Sequence, residues 1–305
     1  MSTGINLNIG LSQVSLLFIY AAMAVYTVSF LSFAFHLSRS ASEKKQVRAS
    51  ASKLERLGLV AMIAAVALHG TGVVLRGIAA VRVPWANMYE FSITGSFVIV
   101  SIFLAAYFIK DIRLIATFVT GFALLVLGSA TTIFLVEVKS LMPALQSYWL
   151  VIHVTVAIFA TAFFNIAAGL AIAFLLKSSS WLEKTKVKIF KTAKRILDLF
   201  PTNEKLEALS YRFNIIGFIL WSFTLIAGAI WAERAWHRYW GWDTKEVWTF
   251  IIWTIYAGYL HANATRGWSG KRSAWLALVG FAAILFNFTV VNLFFKGLHV
   301  YSGLK

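Results

Sequence analysis

The sequence predicts an all-α, polytopic membrane protein: a helical bundle of about eight transmembrane helices with both termini on the outer side. Three observations carry this reading. Hydrophobic residues make up 60% of the 305-residue chain and charged residues 13%, about half the charge of an ordinary soluble domain. Several apolar runs exceed about 18 residues, the length that crosses a bilayer as a helix. The cations are confined to a few short loops between those runs, as membrane topology requires.

The runs lie at about 14–38, 55–76, 90–109, 114–135, 149–176, 213–232, 247–265 and 274–295. The first lacks a basic leader and continues too long for a cleavable signal. Loops after the first, third, fifth and seventh runs hold twenty of the twenty-eight Lys and Arg. The positive-inside rule makes those loops cytoplasmic, which places both termini and the segment 231–248 outside. Within the long inner loop, 181–200 puts Leu182, Val187, Ile189, Phe190, Ala193, Ile196, Leu197 and Phe200 on one face and lysines on the other. That pattern describes an amphipathic helix on the membrane lipid, ended by Pro201. The whole of 1–305 is accordingly read as one transmembrane domain.

Composition also excludes function classes. The net charge of +16 belongs to topology and to attraction for anionic headgroups, not to a nucleic-acid partner. No cysteine is present, which rules out thiol exchange and thiolate metal binding. No Asp, Glu, Lys or Arg lies clearly inside a run, which argues against a proton-coupled carrier.

The chemistry therefore falls to histidines and outer loops. His153, at the outer start of the fifth run, and His299, just past the eighth, lie at the same level and flank an aromatic segment in sequence. That segment, residues 231–248, holds five of the chain's twelve Trp. Trp231 and Trp248 are assigned to the interfacial aromatic belt. Trp236, Tyr239, Trp240 and Trp242 are too densely placed for a belt and suit a flat macrocycle, on which aromatic faces stack. Neutral imidazoles are axial ligands for haem iron, and Arg238 or Lys245 can pair with propionates. Asp243-Thr244-Lys245-Glu246 has capping-box spacing, with Asp243 as N-cap, and Asn87-Met88-Tyr89-Glu90 repeats it. His261 lies roughly 20 Å inward by helical rise and His69 roughly 10 Å, and His36 matches the depth of His261. A single membrane histidine ordinarily bonds a neighbouring helix, the reading given to His36 and His69, while His237 is a solvated loop residue.

Gly228-Ala229-Ile230-Trp231-Ala232 and Tyr239-Trp240-Gly241-Trp242-Asp243-Thr244-Lys245-Glu246 resemble the tryptophan-rich (WWD) signature of haem-handling proteins. Within that superfamily the chain is most similar to the CcsA/ResC family, the membrane subunit of System II cytochrome c biogenesis. Supporting matches are Tyr259-Leu260-His261, Lys296-Gly297-Leu298-His299, Ser147-Tyr148-Trp149 with His153, and Pro84 with Asn87-Met88-Tyr89-Glu90. They run from about residue 75 onward and are most specific over 200–305.

The resemblance implies a protein that conveys b-type haem, non-covalently and in transit, to the outer face. There it would present haem to apocytochrome c, whose Cys-x-x-Cys-His motif supplies the thiols. It implies a component of a holocytochrome c synthase (haem lyase) complex with a ResB-type membrane partner, in a bacterial plasma membrane rather than a plastid thylakoid. In that scheme His153 and His299 ligate the outer haem as metal ligands, and His261 ligates haem within the membrane. A partner histidine supplies the second internal ligand, with His36 or His69 as local alternatives. No residue is assigned a catalytic role. Three positions depart from the family pattern: His237 where Gly is usual, Thr244 where Pro is usual and Glu233 where Asn is common. The first raises the question of a competing imidazole. Two other readings of the same residues are a haem-b electron carrier using quinol and a carrier of another aromatic or lipid-linked substrate.

Overall fold

The computed structural model describes residues 8–42, 45–110, 112–141, 145–179, 188–295 and 297–299. The described residues form α1 (Ile9–Ser40), α2 (Lys45–Ala80), α3 (Met88–Ile109), α4 (Ala116–Thr132), α5 (Tyr148–Lys177), α6 (Lys188–Asp198), α7 (Asn203–Trp236), α8 (Thr244–Arg266) and α9 (Lys271–Phe286). A π-helical turn, Asn287–Val291, continues α9 into a last turn at Asn292–Phe294. Several helices run past their apolar cores. α7 starts at Asn203, well before the expected 213, because Thr202 caps it by accepting from the Lys205 N–H.

Among the described residues, seven helices are long and apolar enough to cross a membrane, where about eight were expected. The difference is α8. Its length, about 34 Å by helical rise, is sufficient, but Trp248, Trp253, Tyr256, Tyr259, His261 and Asn263 lower its apolarity. It packs beside α7 and α9 all the same, burying Ile252, Tyr256 and Tyr259. The chain is an integral membrane protein whose described residues include seven spans by composition and an eighth helix of spanning length.

Two long antiparallel pairs organise the bundle. In α1/α2, the Ser15 hydroxyl donates to the Gly72 carbonyl at 2.7 Å and Ser29 to Gly58 at 2.8 Å. In α5/α7, Ser210 donates to Ala167 at 2.9 Å. Such small hydroxylated residues let helix backbones approach closely where water offers no driving force. α5 is the central helix: 72% of its apolar window is buried, against 28–44% for the other six candidate spans. α3, α7 and α9 surround it.

The starts of α1, α3, α5 and α8 and the ends of α2, α4, α7 and α9 meet at one end of the bundle, the end that carries the Trp-rich loop. The amphipathic helix lies at the other end. Its described part is α6, with Leu197 turned inward; residues 180–187 lie outside the described set. Lys177 Nζ holds its exit, donating to the Phe200 and Pro201 carbonyls at 2.6 and 3.0 Å.

A buried ionic cluster pins the Trp-rich end. Glu90 is fully buried and Arg76 nearly so. Arg76 Nε donates to Glu90 Oε1 at 3.1 Å, and its other nitrogens reach Ser12 Oγ and the Val136 carbonyl, both at 2.9 Å. Arg82 Nη2 donates to Glu90 Oε1 at 3.0 Å and the Ala86 N–H to Glu90 Oε2 at 3.0 Å. Asn87 caps α3 by accepting from the Glu90 N–H at 2.9 Å. The expected box is thus half formed: the Glu90 side chain serves two arginines instead of the cap backbone. One carboxylate ties α2, the 81–87 loop and α3 together.

Candidate functional site

The Trp-rich loop is a short link held from both sides. α7 ends at His237, which takes the left-handed conformation (φ 56°) while its N–H donates to the Glu233 carbonyl at 2.8 Å. α8 begins at Asp243 with a complete capping box. Glu246 Oε2 accepts from the N–H groups of Gly241 and Asp243 at 2.8 and 3.0 Å. Gly241 leaves room for the Arg238 guanidinium, which a Cβ there would displace.

Left-handed backbone costs a non-glycine residue about 1–2 kcal/mol, so Gly at 237 relieves strain that His carries. His237→Gly is expected to stabilise the protein by about 0.5–1 kcal/mol after the extra chain entropy of Gly, read as a small rise in the thermal midpoint of detergent-solubilised protein. His237 is exposed and does not line the cavity below. The same variant should therefore leave any haem spectrum unchanged.

Beneath the loop lies a cavity of about 250 Å³ with mostly apolar walls from α3, α4, α5, α7, α8 and α9. His153 and His299 both line it, with Trp231, Tyr239 and Trp240. Trp231, expected in the interfacial belt, is instead 1% exposed and joins the two histidines. Its ring lies parallel to His153 (6.0 Å between centroids, 15°) and edge-on to His299 (5.5 Å, 70°). Trp248, the other belt assignment, packs on Phe286 at 4.4 Å.

Each imidazole is anchored through Nδ1. That of His153 lies 2.9 Å from the Thr224 carbonyl, and that of His299 lies 3.0 Å from Asp243 Oδ1. A carbonyl and a carboxylate only accept, so Nδ1 carries the proton in both rings and the lone pair of the neutral ring is on Nε2. Hydrogen bonding of the far nitrogen is how proteins orient histidines that ligate metals. Gly228 makes room for the first anchor, since a Cβ there would meet the His153 ring at 2.8 Å. Among the described residues no three His, Asp or Glu side chains gather at one point. Two axial imidazoles suit a metal whose other ligands arrive with it in a macrocycle.

Asp243 does more than cap. It accepts from the Lys245 N–H at 2.9 Å, the Leu298 N–H at 2.8 Å and His299. Burial alone would raise its carboxyl, but the hydrogen bonds from His299, Lys245 and Leu298 outweigh it and hold the pKa at about 2, against an ordinary 3.8. A depressed carboxyl contributes stability that is complete above its unfolded value and lost as pH falls through its folded one. The Asp243 contribution is therefore constant above about pH 4 and disappears toward pH 2. With His299 as a haem ligand, Asp243→Ala is expected to weaken haem retention about 10–100-fold, and in any case to cost about 0.5–2 kcal/mol of capping. Asp243→Ser keeps a capping oxygen without holding His299, so it should lose haem affinity with little change in stability. Absorbance titration and thermal unfolding separate the two.

The remaining candidates are dispersed. Trp236 packs on Trp231 and on His299, both at 4.8 Å. Tyr239 and Trp240 line the cavity, and Trp242 is 75% exposed. Arg238 lies over Trp236 at 6.0 Å and 4.0 Å from Glu246 Oε2, outside the cavity lining. Lys245 lines the cavity, with Nζ donating to the Asn287 carbonyl at 2.7 Å and to Asn292 Oδ1 at 2.9 Å. It thereby holds the π-helical turn, a feature sequence reasoning missed; π turns recur where a helix is bent to a functional purpose. His261 is exposed on α8 near the opposite end. His69 is fully buried, its Nδ1 3.3 Å from the Tyr26 hydroxyl and its ring edge-on to Phe97. His36 is half-buried on α1, which packs on α2 and α4.

A family model described as cytochrome C assembly protein matches residues 16–299. Relatives named cytochrome c biogenesis protein CcsA include that of Prochlorococcus marinus, 37% identical over 250 residues, covering 75% of this chain and 78% of the relative. That of Guillardia theta is 35% identical over 236 residues, covering 73% and 77%. Among solved structures, a cytochrome c haem lyase CcmF shares the fold at a TM-score of 0.62 and 15% identity, over 91% of this chain and 46% of that longer one. A match over nearly the whole chain, with relatives 35–37% identical over about three quarters of it, makes the conclusion plain: the chain belongs to the cytochrome c assembly protein family, among its CcsA members.

Proposed function

We propose that this protein serves cytochrome c biogenesis by holding b-type haem, non-covalently and in transit, between His153 and His299, and presenting it to apocytochrome c. The carrying observation is that two imidazoles, each anchored through Nδ1, line one apolar cavity around a single indole. The fit is chemical as well as spatial. Haem supplies an iron with two axial positions and a flat apolar ring. The chain supplies two oriented Nε2 lone pairs, aromatic walls that exclude water, and Lys245 and Asn287 as a polar edge for the carboxylate arms.

The cation asymmetry of the loops supports an outer location for the Trp-rich end. The exposed Trp242 and Tyr239 would then face an approaching apocytochrome at the bacterial plasma membrane. The exposed position of His261 supports a second, internal haem site shared with a ResB-type membrane partner, because a ligand on an outward helix face needs a neighbour to complete it. Residues 1–305 then act as one transmembrane haem-handling domain within a haem lyase complex.

The test is an absorption spectrum of the protein purified from membranes with its partner. The expected result is a low-spin, six-coordinate haem whose bands do not shift when imidazole is added. Copurification of quinone or a lipid-linked aromatic instead of porphyrin would overturn the proposal.

A further inference from the structure

Below the cavity, away from the Trp-rich end, the bundle buries polar side chains that it does not pair. Asn165 of α5, Asn214 of α7 and Tyr256 of α8 are each at most 1% exposed. Among the described residues, both amide atoms of each asparagine and the Tyr256 hydroxyl have no hydrogen-bond partner. The Tyr259 hydroxyl lies beside Asn214 and Ser273 without closing a bond to either amide atom of Asn214. Native interiors satisfy buried polar groups with protein or with ordered water, and here the protein does not.

Helical spacing ties these residues to the cavity. Thr161, Trp221 and Thr249 line its wall. Asn165 is one turn beyond Thr161 on the same face of α5; Asn214 and Tyr256 are two turns beyond Trp221 and Thr249 on the same faces of α7 and α8. The three cavity-lining faces thus continue downward as a polar seam. Past Tyr259 the seam closes on direct bonds: Asn263 Nδ2 donates to the Tyr259 carbonyl at 2.8 Å, and Ser273 Oγ lies 3.1 Å from Asn263 Oδ1.

We propose that Asn165, Asn214 and Tyr256 bind a short file of internal water molecules that extends the cavity toward the opposite end of the bundle. Five unpaired atoms need about two waters at about three hydrogen bonds each. The groups are neutral and can turn to donate or accept, as a water site requires. An anion or a cation would call for charged partners, and among the described residues no charged group bonds these three side chains. The file continues the polar faces of α5, α7 and α8 beyond the cavity wall. This inference does not depend on what the cavity holds.

Radiolytic hydroxyl labelling of the full-length protein in lipid nanodiscs tests it, because bound water is a local source of radicals. Phe164 is the internal control: it is as buried as Tyr256 and stacks on it at 3.8 Å. The expected result is Tyr256 labelling at least several-fold faster than Phe164, slowed in an Asn165→Leu/Asn214→Leu double variant. Equal protection of the two rings in the wild-type protein would overturn the proposal, and this comparison needs no variant to fold. A folded double variant with unchanged Tyr256 labelling would overturn it as well.

Discussion

Glu90→Ala is expected to cost about 3–5 kcal/mol, because it strands two arginines in a site built around one carboxylate. Arg76 is 2% exposed and cannot turn to solvent. It would keep Ser12 and the Val136 carbonyl, neither of which neutralises it. The Ala86 N–H would lose its acceptor too. A change of this size lowers the thermal midpoint by on the order of 10 °C, measurable by tryptophan fluorescence in detergent. Glu90→Gln, which keeps an acceptor but no charge, should fall between. A midpoint for Glu90→Ala equal to that of the parent would mean the arginines are compensated elsewhere. The effect reaches the site, because Trp85, Asn87 and Met88 line the cavity and stand on the loop that Glu90 fastens.

What the sequence disclosed and what it hid divide along contact distance. Apolar length gave the helices, since spanning is a property of single segments. The α8 cap was legible because its partners are three residues apart. The second role of Asp243 was not, because His299 is 56 positions away and only the closed bundle brings it near. Glu90 has the same history: as a local cap it looked ordinary, and its arginines come from another helix and a loop. Trp231 was misread because composition cannot tell an indole at a lipid interface from one buried between two histidines. Asn165 and Asn214 carried no local signal either, since an isolated amide in an apolar run belongs to no motif. The level shared by His153 and His299 was visible; their common indole and paired Nδ1 anchors were not.

With His153 and His299 as the proposed ligands, loss of either should abolish six-coordinate haem at the Trp-rich end, and this is the largest functional effect expected. A six-coordinate iron that loses one axial imidazole becomes five-coordinate, so His153→Ala and His299→Ala should each convert the low-spin spectrum to a high-spin one or empty the site. Added imidazole should restore the bands, because the cavity that held the ring remains. Gly228→Ala separates ligation from mere presence. It leaves His153 in the sequence but puts a methyl group 2.8 Å from the ring and 2.9 Å from its Nδ1. The ring must shift, and the 2.9 Å bond to the Thr224 carbonyl cannot survive unaltered. Gly228→Ala should therefore resemble His153→Ala in spectrum and in cytochrome c maturation, with about 10–100-fold weaker haem retention from loss of the anchor. If both histidine variants keep a wild-type spectrum and normal maturation, the iron is held elsewhere. If they fail while Gly228→Ala behaves as wild type, the histidines ligate but the α7 anchor is dispensable.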